Sequence, residues 1–199
     1  MLCVEALVLE RGGRLLLNDF SLRVSAGQLV LIEGDNGSGK TSLLRALAGL
    51  ARYDHTGSIR RSAESLLYLG HKSGLKGLLT PRENLAWYCQ SHSQSHGRDQ
   101  RNADIEAALA AVDLVGFEDV LCHNLSAGQQ RRVNLARLYL SPAPLWLLDE
   151  PFAAIDRTGV VGLVRTLVQQ VERGGAVVMT SHQALQTDHP ITRIRLGQA

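Results

Sequence analysis

Residues Gly34 to Thr41 read GDNGSGKT, a complete match to the pattern GxxxxGK(S/T). The run follows Gln28–Glu33 (QLVLIE), a nearly continuous apolar stretch that predicts a strand covered on both faces. It precedes Thr41–Leu50, where Leu43, Leu44, Leu47 and Ala48 recur at helical spacing. Strand, glycine-rich turn and helix in that order restrict the chain to an α/β architecture. In such a turn the glycines let backbone N–H groups converge on phosphate oxygens, and the helix N-terminus favours negative charge. Gly34, Asp35, Asn36, Gly37, Ser38, Gly39, Lys40, Thr41 and Ser42 are therefore the candidate nucleotide-binding run. Lys40 is expected to reach the β- and γ-phosphates, and the Thr41 hydroxyl to coordinate Mg²⁺. A glycine-rich turn that binds nothing is the bland alternative, and the intact motif in this context argues against it.

A second feature complements the first. In Leu145–Glu150 (LWLLDE) four apolar residues predict a buried strand, and two carboxylates emerge at its end. Ligands of open α/β sheets bind at that end. Asp149 is placed to hold Mg²⁺ through water, and Glu150 to orient and polarise an attacking water. Phosphate loop and acidic pair together still fit kinases, GTPases, helicases and transport ATPases.

The rest of the chain supplies a coarse order of elements. Leu2–Leu9, Leu15–Val24 and Leu66–Leu69 read as strands. Thr80, Pro81 and Glu83 form a helix-start signature, with a cap, a proline at the first helical position and a capping-box glutamate. Ser91–Asn102 (SHSQSHGRDQRN) is wholly polar and reads as a loop, and Ala103–Val112 as a helix. Ser126 and Gln129 form a second capping box at the head of a helix reaching Leu140. Arg157–Glu172 reads as a helix, Ala176–Thr180 as a strand, the vicinity of Ala184 as a short helix, and Ile191–Leu196 as a final strand.

Composition narrows the function classes. With 21 Lys and Arg against 19 Asp and Glu, the net charge of +2 provides no strong basic field for nucleic acid. Cys3, Cys89 and Cys122 lie far apart, which argues against a disulfide framework, a Cys-rich zinc site or covalent haem attachment. No apolar run reaches the roughly 18 to 20 residues of a membrane span, and no signal peptide is read, so a soluble or peripheral protein is expected. His92 and His96 lie in the polar stretch and read as solvated, with no directly bound haem expected. Arg60-Arg61 and Arg131-Arg132 read as solvated faces.

Leu125–Gln130 (LSAGQQ) discriminates among the nucleotide-binding classes, because it resembles the LSGGQ signature of the ATP-binding cassette (ABC) ATPases. Ser126 caps a helix whose N-terminus is another anion site, so Ser126, Ala127, Gly128 and Gln129 join the candidate nucleotide contacts. The order of motifs resembles ABC nucleotide-binding domains along almost the whole chain. The resemblance implies a single domain over 1–199, an ABC-type P-loop NTPase with a mixed-sheet core (1–80 and 141–199) and an inserted helical subdomain (about 81–140). It implies ATP hydrolysis with ATP and Mg²⁺, and a head-to-tail dimer of two copies in which each phosphate loop faces the partner's signature helix. By position, Ala153–Asp156 resembles the D-loop, with Asp156 also able to cap the next helix, and His182 resembles the switch histidine that contacts the γ-phosphate. Glu150, His182 and Lys40 are then the catalytic set, and Thr41, Asp149 and His71 the metal-side set. Two positions depart from the family pattern. Arg11 stands where an aromatic residue often covers adenine, and His71 where the Q-loop glutamine usually contacts Mg²⁺ and water.

A narrower resemblance rests on YLGHKSGLKGLLTPRENL and FEDVLCHNLSAGQQRRVNLARLYL. These segments resemble the ATP-binding subunits of the bacterial haem exporters used in cytochrome c maturation. That implies a peripheral protein on the cytoplasmic face of the inner membrane, partnered by integral permease subunits of the maturation complex and coupling hydrolysis to haem export or haem-chaperone release. The alternatives are the ATPase of an ABC transporter with a different substrate and, further off, a nucleic-acid or ribosome-associated ABC ATPase.

Overall fold

The structure, a computed structural model, describes residues 1–51, 55–63, 65–92, 98–182 and 185–197 (at 92 and 98 the backbone alone). The chain divides into two compact units. One comprises Met1–His71, Ala143–Phe152 and Leu163–Ala199, and the other Lys72–Pro142 and Ala153–Gly162.

The first unit holds two sheets. β1 (Leu2–Arg11) and β2 (Arg14–Val24) form an antiparallel hairpin. Its two-residue turn is Gly12-Gly13, with φ 60° and 75°, the positive values that a primed turn demands at both central positions. β3 (Leu29–Glu33) follows, then α1 (Lys40–Leu47) and β4 (His55–Arg61). β4 pairs antiparallel with the free side of β1, giving the order β2-β1-β4. The sequence reading contains no strand at His55–Arg61. Its residues lack apolar alternation, and only Ile59 packs on the core, so the strand exists through its pairing with β1. A bulge in β1 carries Ala6 at φ 48°, and a Cβ at Gly57 would collide with the Ala6 carbonyl. Glycine is required there by close backbone approach.

The second sheet is parallel, with order β5-β6-β7-β3-β8. Its remaining strands are β5 (Leu66–Leu69), β6 (Leu145–Leu148), β7 (Ala176–Thr180) and β8 (Ile191–Arg195). Every residue of β6 and β7 is buried, and β3 is buried up to Glu33, as expected for strands covered on both faces. A single core cluster contains Val4, Leu9, Val30, Leu44, Leu147 and Val178, drawn from both sheets and α1. α1 packs on β6 and β7. It stops at Leu47, short of the expected Leu50, because Gly49 turns left-handed (φ 73°). The Gly49 amide then donates to Ala46 O and the Leu50 amide to Arg45 O, the two bonds of a Schellman cap.

The second unit is built around α2 (Pro81–His92), α3 (Arg98–Ala111) and α4 (Ala127–Leu140), which pack on one another. The Thr80–Glu83 box is formed reciprocally, Thr80 N donating to Glu83 Oε2 at 2.8 Å and Glu83 N to Thr80 Oγ1 at 3.2 Å. Ser91–Asn102 differs from the expected loop, since helix runs to His92 and resumes at Arg98. Polar residues with good helix propensity occupy the solvent side of α3, where Gln100 bonds Asp104 one turn on. His96 and the side chain of His92 lie outside the described residues, as does Ala184, and Leu185–Thr187 beside it has no regular structure.

The Arg131-Arg132 pair is more engaged than its sequence suggests, whereas Arg60 and Arg61 are both exposed as expected. Arg131 is buried at 6% exposure within α4, while Arg132 pairs with Asp113 at 3.1 Å. Arg60 pairs with Glu5, and Arg61 donates to Leu47 O. α5 (Arg157–Glu172) buries Leu163, Leu167 and Val171, each one turn from the next. Among the described residues no helix is long and apolar enough to cross a membrane.

Leu147 lies in the middle of the parallel sheet with no exposed surface. Leu147→Ala is expected to reduce unfolding free energy by about 2–5 kcal/mol. The urea midpoint measures it, with an unchanged m-value showing that the two-state unfolding is otherwise intact.

Candidate functional site

Parallel pairing brings the C-terminal ends of β3, β6 and β7 to the same end of the sheet. Ile32 is level with Thr180 and Leu148 with Met179, so the residue after β6, Asp149, comes level with Thr180. The loop after β3, the acidic pair after β6 and the Thr180–His182 segment therefore converge, although they are far apart in the chain.

Residues 34–39 form the first wall. Gly34 (φ 151°) has no room for a side chain, because a Cβ would lie 2.7 Å from both Leu196 O and Ser38 Oγ. Gly39 is the N-cap of α1 in a left-handed conformation, so no side chain caps the first turn. Lys40, 7% exposed, folds over the loop and donates from Nζ to Gly34 O at 2.6 Å and Asp35 O at 3.0 Å. Ser38 Oγ is buried with no hydrogen-bond partner among the described residues. A helix N-terminus without a side-chain cap, the Ser38 hydroxyl and a buried ammonium make a donor set suited to a polyphosphate. Asp35 and Asn36 are exposed on the loop, and Ser42 is buried in α1.

The acidic pair forms the second wall. Asp149 is 1% exposed, and its carboxylate accepts from Thr41 Oγ1 at 2.9 and 3.2 Å and from Thr180 Oγ1 at 2.9 Å. Its own amide donates to Leu69 O of β5 at 2.8 Å. Thr41 and Asp149 together present hard oxygen ligands of the kind Mg²⁺ takes alongside phosphates and water. Glu150 has φ 51°, a left-handed conformation that costs a non-glycine residue about 1–3 kcal/mol. The Glu150 amide donates to Thr180 Oγ1 at 2.9 Å. At the other end of the residue, the His182 amide donates to Glu150 Oε2 at 3.2 Å, and His182 Nε2 lies 3.4 Å from Oε1. Lys40, Thr41, Asp149, Glu150 and His182 are thus brought to one place.

The remaining candidates lie elsewhere. His71 is exposed in the turn that follows β5, at the same end of the sheet as Asp149. Arg11 is exposed at the end of β1, paired across the hairpin with Arg14. In the second unit, Ser126 and Gln129 form a complete capping box. Ser126 Oγ accepts from Gln129 N at 3.2 Å, and Gln129 Oε1 accepts from Ser126 N at 2.9 Å. Ala127 is exposed in the first turn of α4, and a Cβ on Gly128 would come within 3.4 Å of Ala154 O. Asp156 caps α5, its Oδ1 accepting from Gly159 N at 2.8 Å.

Thr180 is the contact that sequence reasoning missed. It reads as the last residue of an apolar strand, and no motif marks it. Only the order of the strands, which puts β7 between β6 and β3, reveals that its hydroxyl must face the acidic pair.

Comparison with known proteins bears on what the site does. The ABC transporter family model matches residues 17–153. A curated relative from Pseudomonas fluorescens (strain Pf0-1), named cytochrome c biogenesis ATP-binding export protein CcmA, is 53% identical over 191 residues, covering 90% of this chain and 88% of its own. The protein of the same name from Yersinia pseudotuberculosis serotype I (strain IP32953) is 48% identical, covering 99% of this chain and 93% of its own. Among solved structures, a dimeric ATP-binding cassette in a post-hydrolysis state with ADP and Pi matches with TM-score 0.81. It covers 92% of this chain and 88% of its own at 22% identity, so the likeness concerns the fold.

Proposed function

The chain belongs to the ABC transporter ATP-binding family, and on that premise we propose that it is the ATP-hydrolysing subunit of a membrane complex for haem export or haem-chaperone release in c-type cytochrome biogenesis. The observation that carries the pathway reading is the 53% identity to a cytochrome c biogenesis export protein across nearly the full length of both chains. The site geometry supports the chemistry.

Lys40 and the amides at the head of α1 bind the β- and γ-phosphates, and the Ser38 hydroxyl adds a further donor. The Thr41 hydroxyl and, through water, the Asp149 carboxylate would hold Mg²⁺, which would supply neutralising charge at the phosphates. Glu150 orients the attacking water and takes its proton as the oxygen adds to the γ-phosphorus. The bond to the β-phosphate oxygen breaks, leaving ADP and phosphate. His182 steadies the Glu150 carboxylate from the end of β7 and faces the γ-phosphate. His71, after β5, replaces the glutamine that usually senses this region, and Arg11 covers the adenine face.

Two copies assemble head to tail, so that the α4 N-terminus of one copy, with Ser126, Ala127, Gly128 and Gln129, meets the nucleotide of the other, and Asp156 lies beside that junction. The assembly sits peripherally on the cytoplasmic face of the inner membrane, against integral permease subunits. The word "export" in the relatives' names and the lack of a membrane-crossing helix among the described residues support that placement.

Glu150→Gln is expected to keep ATP binding and favour the dimer while turnover falls by about 10²–10⁴-fold. Equilibrium ATP binding, sedimentation and steady-state phosphate release measure the three quantities, and wild-type turnover removes Glu150 from the mechanism. For the pathway, this chain replaces the ATPase subunit in a bacterial cytochrome c maturation system, and covalent haem attachment is measured. Restored attachment is expected. Failure to restore it, with co-purification of an unrelated permease, contradicts the haem assignment and points to a different substrate.

A further inference from the structure

We propose that Thr180 is a positioning residue for ATP hydrolysis, its hydroxyl setting the Glu150 backbone and the Asp149 carboxylate relative to each other. This rests on the reading of Glu150 as the group that polarises the attacking water.

Thr180 is the last residue of β7 and has no exposed surface. β7 lies between β6, which ends at the acidic pair, and β3, which leads into the phosphate loop. From there the hydroxyl makes two contacts of 2.9 Å, one with the Glu150 amide and one with Asp149 Oδ1. The direction of each bond is settled by chemistry. An amide N–H can only donate, so the hydroxyl oxygen accepts from Glu150. An ionised carboxylate can only accept, so the single hydroxyl hydrogen points to Asp149. One oxygen thereby ties the metal-side carboxylate to the backbone of the neighbouring acid.

The tie matters because Glu150 is the one residue of the acidic pair that departs from ordinary backbone geometry (φ 51°). A left-handed residue persists only where its surroundings over-determine it. Two restraints come from the end of β7 and the segment after it, Thr180 at the Glu150 amide and His182 at its carboxylate. Loosening the first weakens the hold on the backbone from which the carboxylate is aimed. A misplacement of a fraction of an ångström at such a group is enough to slow a chemical step while leaving nucleotide binding, which belongs to Lys40 and the loop, in place.

Side-chain shape and side-chain hydroxyl are separable at this position. Thr180→Val keeps the β-branched form and removes the hydroxyl. Thr180→Ser keeps the hydroxyl and removes the methyl. Steady-state hydrolysis by the full chain, ATP affinity by equilibrium binding and thermal midpoint are measured for both, with Glu150→Gln alongside. Val is expected to lower kcat by roughly tenfold or more with KM and ATP affinity within about twofold, and Ser to stay within about threefold of wild type. A packing role gives the reverse order, with Ser impaired and Val near wild type, and overturns the proposal. So does a loss of kcat and ATP affinity in equal proportion. If the Val variant does not fold, Thr180→Ala is measured in its place against the same criteria. Wild-type turnover in Glu150→Gln overturns the reading of Glu150 and the proposal with it. An inactive Glu150→Gln beside a fully active Thr180→Val overturns the proposal alone.

Discussion

A carboxylate with 1% exposure, Asp149, is the tie on which the catalytic end of the sheet depends. It receives Thr41 from the first turn of α1 and Thr180 from the end of β7, and its amide is bound to Leu69 of β5. A buried ionised group without partners is prohibitively costly, so such a carboxylate has to be surrounded by donors. Each donor here comes from a different element. The requirement to satisfy one buried charge thus fixes where α1 begins and where β6 and β7 end relative to one another, and the Asp149 amide ties in the end of β5.

The strands around this tie make it possible. β3 up to Glu33, β6, and β7 up to Thr180 are apolar and buried, so their register is held by packing as well as by backbone hydrogen bonds. Their shared direction delivers three loops to one end, and chemistry follows from what each loop carries. The loop after β3 offers donors, among them the Lys40 ammonium, which binds carbonyls of the loop itself. The loop after β6 offers acceptors, one of them on a backbone held in a left-handed state. The end of β7 and the residues after it hold the acidic pair through Thr180 and His182. The donors suit a phosphate chain and the acceptors a cation.

How much of this can be read from residues alone varies with physical cause. GDNGSGKT and LWLLDE are legible because phosphate binding and buried parallel strands impose local residue types at local spacing. The boxes at Thr80–Glu83 and Ser126–Gln129 are legible for the same reason, as each is a four-residue affair of side chains and neighbouring amides. β4 is not, since HTGSIRR owes its extended state to the open edge of β1 and has almost no pattern of its own. The helical ends around His92 and Arg98 are hidden by polar residues that suit an exposed helix as well as a loop. Arg131 misleads in the opposite direction, a charged residue buried by the packing of α4. Thr180 is invisible because its role arises from strand order, which sets β7 beside β6 and so brings its hydroxyl to the acidic pair.

A double-mutant cycle on Thr41→Val and Thr180→Val, read as unfolding free energy in urea without nucleotide, probes the Asp149 tie itself. Either hydroxyl removed alone leaves the carboxylate the other, whereas the double variant leaves it neither. The destabilisation of the double variant should therefore exceed the sum of the singles by about 0.5–3 kcal/mol, as for residues that share a partner. Additivity to within about 0.5 kcal/mol would show that the two threonines do not act on a common group, and that Asp149 is not the point at which these elements are joined.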